Sequence, residues 1–252
     1  MIPVLFEFGP LRVYSYGLML GIAFLLGSAI MARALKRRGL DPGIANTVTI
    51  FAVVFGIAGA KLLYLLEEFE AFKADPAGMT FSAGGLTWYG GFLLALLAVS
   101  LYIRWKKVPF MKVWDCLGIA LILAYGVGRV GCHLSGDGDY GVPTDLPWGM
   151  SYPNGVVPTL DRVHPTPIYE MVGCLLIFAW LWRRRTRPHV PGSLFGEYLI
   201  LSGLLRLAVE FVRRNPAVAL GLTLAQWVSL VSIGIGAALL RRRSPRLATQ
   251  AA

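Results

Sequence analysis

The chain has 252 residues, 56% of them apolar and only 15% charged, with a mean hydropathy of +0.62. Soluble domains carry about 25% charged residues, so an ordinary soluble fold is excluded, and the 29 Gly and 15 Pro lie inside apolar runs rather than polar low-complexity tracts, which excludes disorder and a collagen-like chain. A net charge of +10 would suggest nucleic acid in a soluble protein; in a chain of long uncharged runs it is a topology signal, and no nucleic-acid partner is expected.

The first segment, MIPVLFEFGPLRVYSYG, lacks the basic n-region and small-residue cleavage site of a removable signal peptide, so the first span is expected to be retained. Uncharged runs approaching the roughly 20 residues needed to cross a bilayer core of about 30 Å predict seven helices, near 15–35, 45–66, 86–104, 112–130, 166–183, 195–213 and 222–240. This is a single all-α polytopic membrane domain covering 1–252. Arg33, Lys36, Arg37 and Arg38 follow span one; Arg104, Lys106, Lys107 and Lys112 follow span three; Arg183, Arg184, Arg185 and Arg187 follow span five; Arg241, Arg242, Arg243 and Arg246 follow span seven. Basic residues on alternate connections mark the cytoplasmic face, which puts the N-terminus outside and the C-terminus inside. Glu67, Glu68, Glu70 and Asp75, then Asp137, Asp139, Asp145 and Asp161, fall on the other face. The longest connection, 131–165, has Pro or Gly every few residues, predicting a non-helical head loop over the outer face.

Few ionisable residues remain within or at the outer ends of spans: Lys61, Arg129, Glu170, Arg206 and Glu210, with Arg213 and Arg214 just beyond. A charge there costs about 2.5–3.5 kcal/mol on insertion scales and is normally paired and turned inward. Arg206 and Glu210 are one helical turn apart and can pair. Several arginines at one membrane face also form an anion site, because guanidinium matches phosphate, and the abundant anion in a bilayer is a phospholipid head group. Tyr16, Tyr64, Tyr89 and Tyr169 either flank such a site or form an interfacial belt. Lys61 either snorkels or contributes to the site. Glu170 stands near the start of span five, where capping alone accounts for a carboxylate. In YGVGRVGCHLSGDGDYG, Gly126, Gly128 and Gly131 flank Arg129 and permit close backbone approach. His133, Asp137 and Asp139 follow, and titratable groups beside a fixed cation suit acid–base or nucleophilic chemistry. Cys116, Cys132 and Cys174 have no spacing that reads as a disulfide framework or a metal site. His189 is read as solvent exposed in a cytoplasmic loop.

The segments YSYGLML, GAKLLY, GLTWYGG, GRVG with its Gly and Asp turn, HPTPIYE, RLAVEFVR and GLTLAQWVS, in this order across nearly the whole chain, resemble the prolipoprotein diacylglyceryl transferase family of the bacterial inner membrane. The resemblance implies a reaction that moves the diacylglyceryl group of phosphatidylglycerol to the thiol of the lipobox cysteine in a prolipoprotein signal peptide, releasing glycerol phosphate, with the site facing the periplasm. It implies no cofactor and no metal. Arg129 and Arg206 match the family's essential arginines, Glu210 would orient Arg206, Tyr16 matches a tyrosine near the head group, Gly141 matches the glycine closing the signature turn, and Arg213 matches the basic residue after the acidic position. Gly131, His164, Tyr169 and Glu170 fall within its motifs and would line the substrate site, His164 through a structural hydrogen bond.

The chain departs from the family at Tyr89, where a histidine is usual, at Cys132, where asparagine is usual, and at Asp137, which replaces a glutamate and is followed by one extra residue before Gly141. Ser202 stands for a tyrosine and Lys61 for an arginine. A phenol of pKa about 10 is a poor base at neutral pH. Three readings follow: His133 handles the proton, the thiol is activated by the cationic field alone, or the chain is a paralogue that binds phospholipid or uses another lipid or acceptor. His133 is otherwise a loop histidine bonded to backbone. Cys132 is read as inert packing or, less simply, as a nucleophile beside Arg129.

Overall fold

The structure is a computed structural model and describes residues 1–9, 11–82 and 84–241; Arg242, Arg243 and Arg246 of the basic tail lie outside the described residues. Two compact units are present, one of residues 1–31 and 114 onward, the other Ala32–Val113.

In chain order the elements begin with a hairpin, β1 (Val4–Phe8) and β2 (Leu11–Tyr14), then α1 (Ser15–Arg37), α2 (Gly43–Glu67), the short α3 (Phe69–Ala74) and α4 (Pro76–Phe81), α5 (Trp88–Trp105) and α6 (Phe110–Ser135). They continue with a hairpin of β3 (Met150–Tyr152) and β4 (Thr159–Val163), α7 (Thr166–Arg184), α8 (Ser193–Glu210), a hairpin of β5 (Ala217–Ala219) and β6 (Leu222–Thr223), and α9 (Leu224–Arg241). Seven of these helices are 18 to 26 residues long, and α1, α2, α5, α6 and α9 are both long and apolar enough to cross a membrane. Such runs become helices because lipid offers the backbone no other hydrogen-bond partner.

The expected non-helical segment is corrected at its start: α6 continues to Ser135, so Arg129, Gly131, Cys132 and His133 are helical. Glycine does not break a helix that lipid and neighbouring helices enforce; the turn comes at Gly136, whose φ is +59. The span expected at 195–213 ends at Glu210, so Arg213 lies in the turn beyond it.

In the smaller unit α2 and α5 pack with their backbones nearly touching, because a Cβ on Gly90 would stand 2.5 Å from the Leu63 Cβ and collide with the Gly59 carbonyl. Lys61 Nζ donates to the Ser82 carbonyl and hydroxyl and to the Gly84 carbonyl, at 2.8 to 3.0 Å, and so holds the segment that leads into α5. A groove of about 620 Å³ runs along α2 and α5, lined by Phe51, Phe55, Leu94 and Leu97 among others.

In the larger unit α1 approaches α6 at Gly131, where a Cβ would lie 3.3 Å from the Tyr16 Cα. Gly126 does the same against Cys174 of α7, while a Cβ on Gly128 would meet nothing within 4 Å among the described residues beyond its own helix. The N-terminal backbone donors of α8 are capped from another helix: buried Asp115 of α6 accepts from the Gly192 and Phe195 N–H groups, each at 2.9 Å. His189 lies 3.8 Å from the same carboxylate with a side chain only 8% exposed, which corrects its reading as a solvent-exposed loop residue. Beyond α6, Tyr140, Tyr152 and Val163 form a small buried core beside Met1 and Met150. The Gly141 N–H donates to the His164 carbonyl and the Val142 N–H to the Val212 carbonyl, both at 2.8 Å. These bonds fasten the head segment to the start of α7 and the end of α8.

Candidate functional site

Three arginines of the larger unit converge from different elements: Arg129 from α6, Arg206 from α8 and Arg213 from the turn after it. At their centre is Glu170 of α7, its side chain 1% exposed. Its Oε2 lies 2.9 Å from Arg129 Nε and 3.6 Å from Arg213 Nη1, and its Oε1 accepts from Arg206 Nη1 at 3.0 Å and from the Tyr125 hydroxyl at 2.8 Å. Glu170 was expected as a helix cap or a substrate contact. The cap of α7 is Pro165, and Glu170, a full turn inside, is the hub of an ionic cluster.

Tyr125 is a site residue that the sequence reading missed. Its hydroxyl accepts from Arg129 Nη2 at 2.7 Å, and the guanidinium carbon lies 4.7 Å from its ring centre. Its spacing was a usable signal, since residues four apart share a helix face.

Glu210 pairs with Arg206 at 2.9 Å, one turn apart as expected, and lies 3.8 Å from Arg213 Nε. Its Oε1 accepts from Asn215 Nδ2 and from the Thr223 hydroxyl, each at 2.7 Å. Thr223 is held in turn by a reciprocal capping pair at the head of α9: its N–H donates to Gln226 Oε1, and the Gln226 N–H donates to its hydroxyl.

The turn after α6 supplies the third carboxylate, and it comes from Asp139. Oδ2 of Asp139 pairs with Arg129 and Oδ1 with Arg213, while its backbone carbonyl accepts from the Thr166 hydroxyl. The sequence reading had matched Asp137, not Asp139, to the family's glutamate and so favoured it for a catalytic role. Among its described interactions Asp137 accepts from the Asp139 N–H at 3.2 Å, and it interacts with the Cys132 thiol. The two carboxylates are driven apart electrostatically. Burial raises Asp137 above the ordinary range; burial would raise Asp139 as well, but Arg129 and then Arg213 outweigh it and hold that carboxyl below the ordinary value. Ligand atoms of Cys132, Asp137 and Asp139 lie within 4.8 Å of one another. With Asp139 committed to two guanidiniums, the donor set fits an ionic network better than a cation.

His133 follows Arg129 by one turn, and its Nδ1 is 3.2 Å from the Tyr152 hydroxyl, whose own pKa burial and then Asp137 push up to about 12. It is therefore a helix residue bonded to a side chain, which corrects its reading as a loop residue bonded to backbone. His164 makes the structural contact expected of it, Nδ1 to the Tyr169 hydroxyl at 3.2 Å, and Tyr169 also accepts from the Trp148 indole at 2.9 Å. Gly141 is glycine because a Cβ there would meet the Val212 carbonyl and stand 2.9 Å from the His164 Cβ. Cys116, Cys132 and Cys174 are buried and form no disulfide among the described residues. Ser202 spends its hydroxyl on the Tyr198 carbonyl of its own helix, at 2.6 Å. Tyr89 and Lys61 belong to the smaller unit, where Tyr89 packs edge-on against Trp88.

Residues 3–242 match a family model described as prolipoprotein diacylglyceryl transferase. The chain is 34% identical over 239 residues to a phosphatidylglycerol–prolipoprotein diacylglyceryl transferase of Clostridium tetani, covering 94% of this chain and 95% of that protein. Proteins of the same name from Parasynechococcus marenigrum and Synechococcus elongatus are each 32% identical, over 267 and 246 residues, covering 97% and 93% of this chain and 96% and 84% of theirs.

Proposed function

The chain belongs to the prolipoprotein diacylglyceryl transferase family and is a membrane transferase, and from that premise we propose that it moves the diacylglyceryl group of phosphatidylglycerol to the lipobox thiol of a prolipoprotein at the Arg129–Arg206–Arg213 cluster. The observation that carries this reading is the convergence of three guanidiniums from separate elements on the buried Glu170. Glu170 and Glu210 fix the planes of the arginines, so the phosphate meets donors that need no reorganisation.

In the proposed reaction the thiol sulfur attacks the glycerol carbon that carries the phosphodiester, the C–O bond breaks, and glycerol phosphate leaves with the bonding electrons. The arginines bear the charge that grows on the leaving oxygen. The thiol proton goes to His133 Nε2, freed as an acceptor when Nδ1–H donates to the Tyr152 hydroxyl. Tyr16, against Gly131 on α6, lines the head-group region.

The proposed topology is seven spans with the N-terminus periplasmic, the C-terminus cytoplasmic and the segment from Gly136 to Pro165 as the head loop, in a bacterial inner membrane. Seven long helices and the alternating basic connections support it. Both substrates are membrane-embedded, so entry is lateral.

The test is to incubate the purified protein with phosphatidylglycerol and a lipobox peptide and to weigh the peptide. We expect a diacylglyceryl mass gain, its loss by at least about 100-fold in Arg129→Ala and Arg206→Ala, in line with removal of oxyanion-type donors, and a slower rate in His133→Gln with Tyr89→Phe unaffected. Lipid retained with no mass gain would defeat the transferase reading.

A further inference from the structure

The cluster holds three guanidiniums, Arg129, Arg206 and Arg213, and three carboxylates, Asp139, Glu170 and Glu210, so it is formally neutral. A phosphodiester arriving with its single negative charge would leave a largely buried group with one charge unpaired, which burial strongly disfavours. One carboxylate must yield as the phosphate enters. Glu170 and Glu210 are 1% and 0% exposed and accept further bonds from Tyr125, Asn215 and Thr223. Asp139 is 30% exposed, and its two oxygens engage two different arginines, as two phosphate oxygens would. The bond from Thr166 is to its backbone carbonyl, so that bond does not tie the side chain, which the two arginines hold.

We infer that Asp139 occupies the place that the phosphate takes and is exchanged for it when lipid binds. The inference rests on the proposed reaction centre and gives Asp139 a role other than the acid–base chemistry that its place in the sequence suggested. Exchange of one monoanion for another keeps the cluster neutral in the ground state. When the C–O bond breaks, the phosphate becomes a monoester carrying about −1.5 to −2 charge near neutral pH, and the returning Asp139 competes with it for Arg129 and Arg213. Asp139 therefore weakens lipid capture and speeds product departure.

Two measurements test this without needing turnover. The affinity for inorganic phosphate is compared in the unaltered protein, Asp139→Asn and Asp137→Asn. Phosphate should bind Asp139→Asn about tenfold more tightly, roughly 1.4 kcal/mol, and Asp137→Asn as the unaltered protein does. If Asp139 merely braced the arginines, Asp139→Asn would bind phosphate equally or more weakly, and that result overturns the exchange. In the unaltered protein, where folding of a variant is not at issue, carbodiimide labelling of Asp139 read by peptide mass should rise when phosphate is added; unchanged or reduced labelling also overturns it. A protein that fails to transfer diacylglycerol but passes both measurements retains the exchange and loses the reaction assigned to the site.

Discussion

Glu170 concentrates the energetic risk of the site in one side chain. It faces three guanidiniums with almost no solvent around it, and breaking a buried pair by removing one partner typically costs about 3–5 kcal/mol. Glu170→Gln should therefore lower the thermal unfolding temperature in detergent markedly, with a loss in that range. The two aspartates of the turn respond to pH with opposite sign. Asp139 is held below its ordinary value, so its contribution is present above about pH 4 and lost as the pH falls through the depressed value. Asp137 is raised, so its ionisation opposes folding as the pH climbs. Acid titration of stability should show a low-pH loss that Asp139→Asn flattens, and Asp137→Asn should be neutral or stabilising at pH 7. Arg129, Arg206 and Glu210 were legible as costly charges in apolar runs. Glu170 as hub and Asp139 in place of Asp137 were not, because sequence spacing near a turn with one extra residue does not say which carboxylate faces inward.

At the scale of elements, the long helices were legible and their ends less so. Hydropathy located seven helices to within a few residues, but α6 runs through Gly126, Gly128 and Gly131, where an aqueous helix would be weakened. The three short hairpins escaped notice because strands of two to five residues leave no usable alternation. The α2–α5 pair was legible only as glycine near GGF and GIAG, with its meaning set by the partner helix. Small residues let membrane helices approach. Gly90→Ala forces a Cβ toward Leu63 and the Gly59 carbonyl and should cost about 1–3 kcal/mol, measured as a drop in detergent unfolding temperature, whereas Gly128→Ala, with nothing within 4 Å, should cost little.

For the whole molecule, orientation is open to a direct check because the three native thiols are buried. A single cysteine at Leu160, 84% exposed on β4, should react with a membrane-impermeant maleimide in cells whose outer membrane is permeabilised, and one at Lys106 only after the inner membrane is opened. The reverse pattern would invert the proposed topology. The smaller unit is inserted between two stretches of the larger one, and the cluster draws on α6, α7 and α8, so its charges leave the ribosome in sequence. Glu170 emerges about 40 residues after Arg129, and Arg206 almost as many after Glu170; at about 5–20 residues per second the first arginine has Asp139, 10 residues on, as its partner for several seconds before the buried hub appears. During that interval an incomplete cluster, lacking Glu170, must be sheltered by the insertion machinery or by water, which makes the birth of this site a stage of biogenesis open to failure even in variants whose finished form is sound.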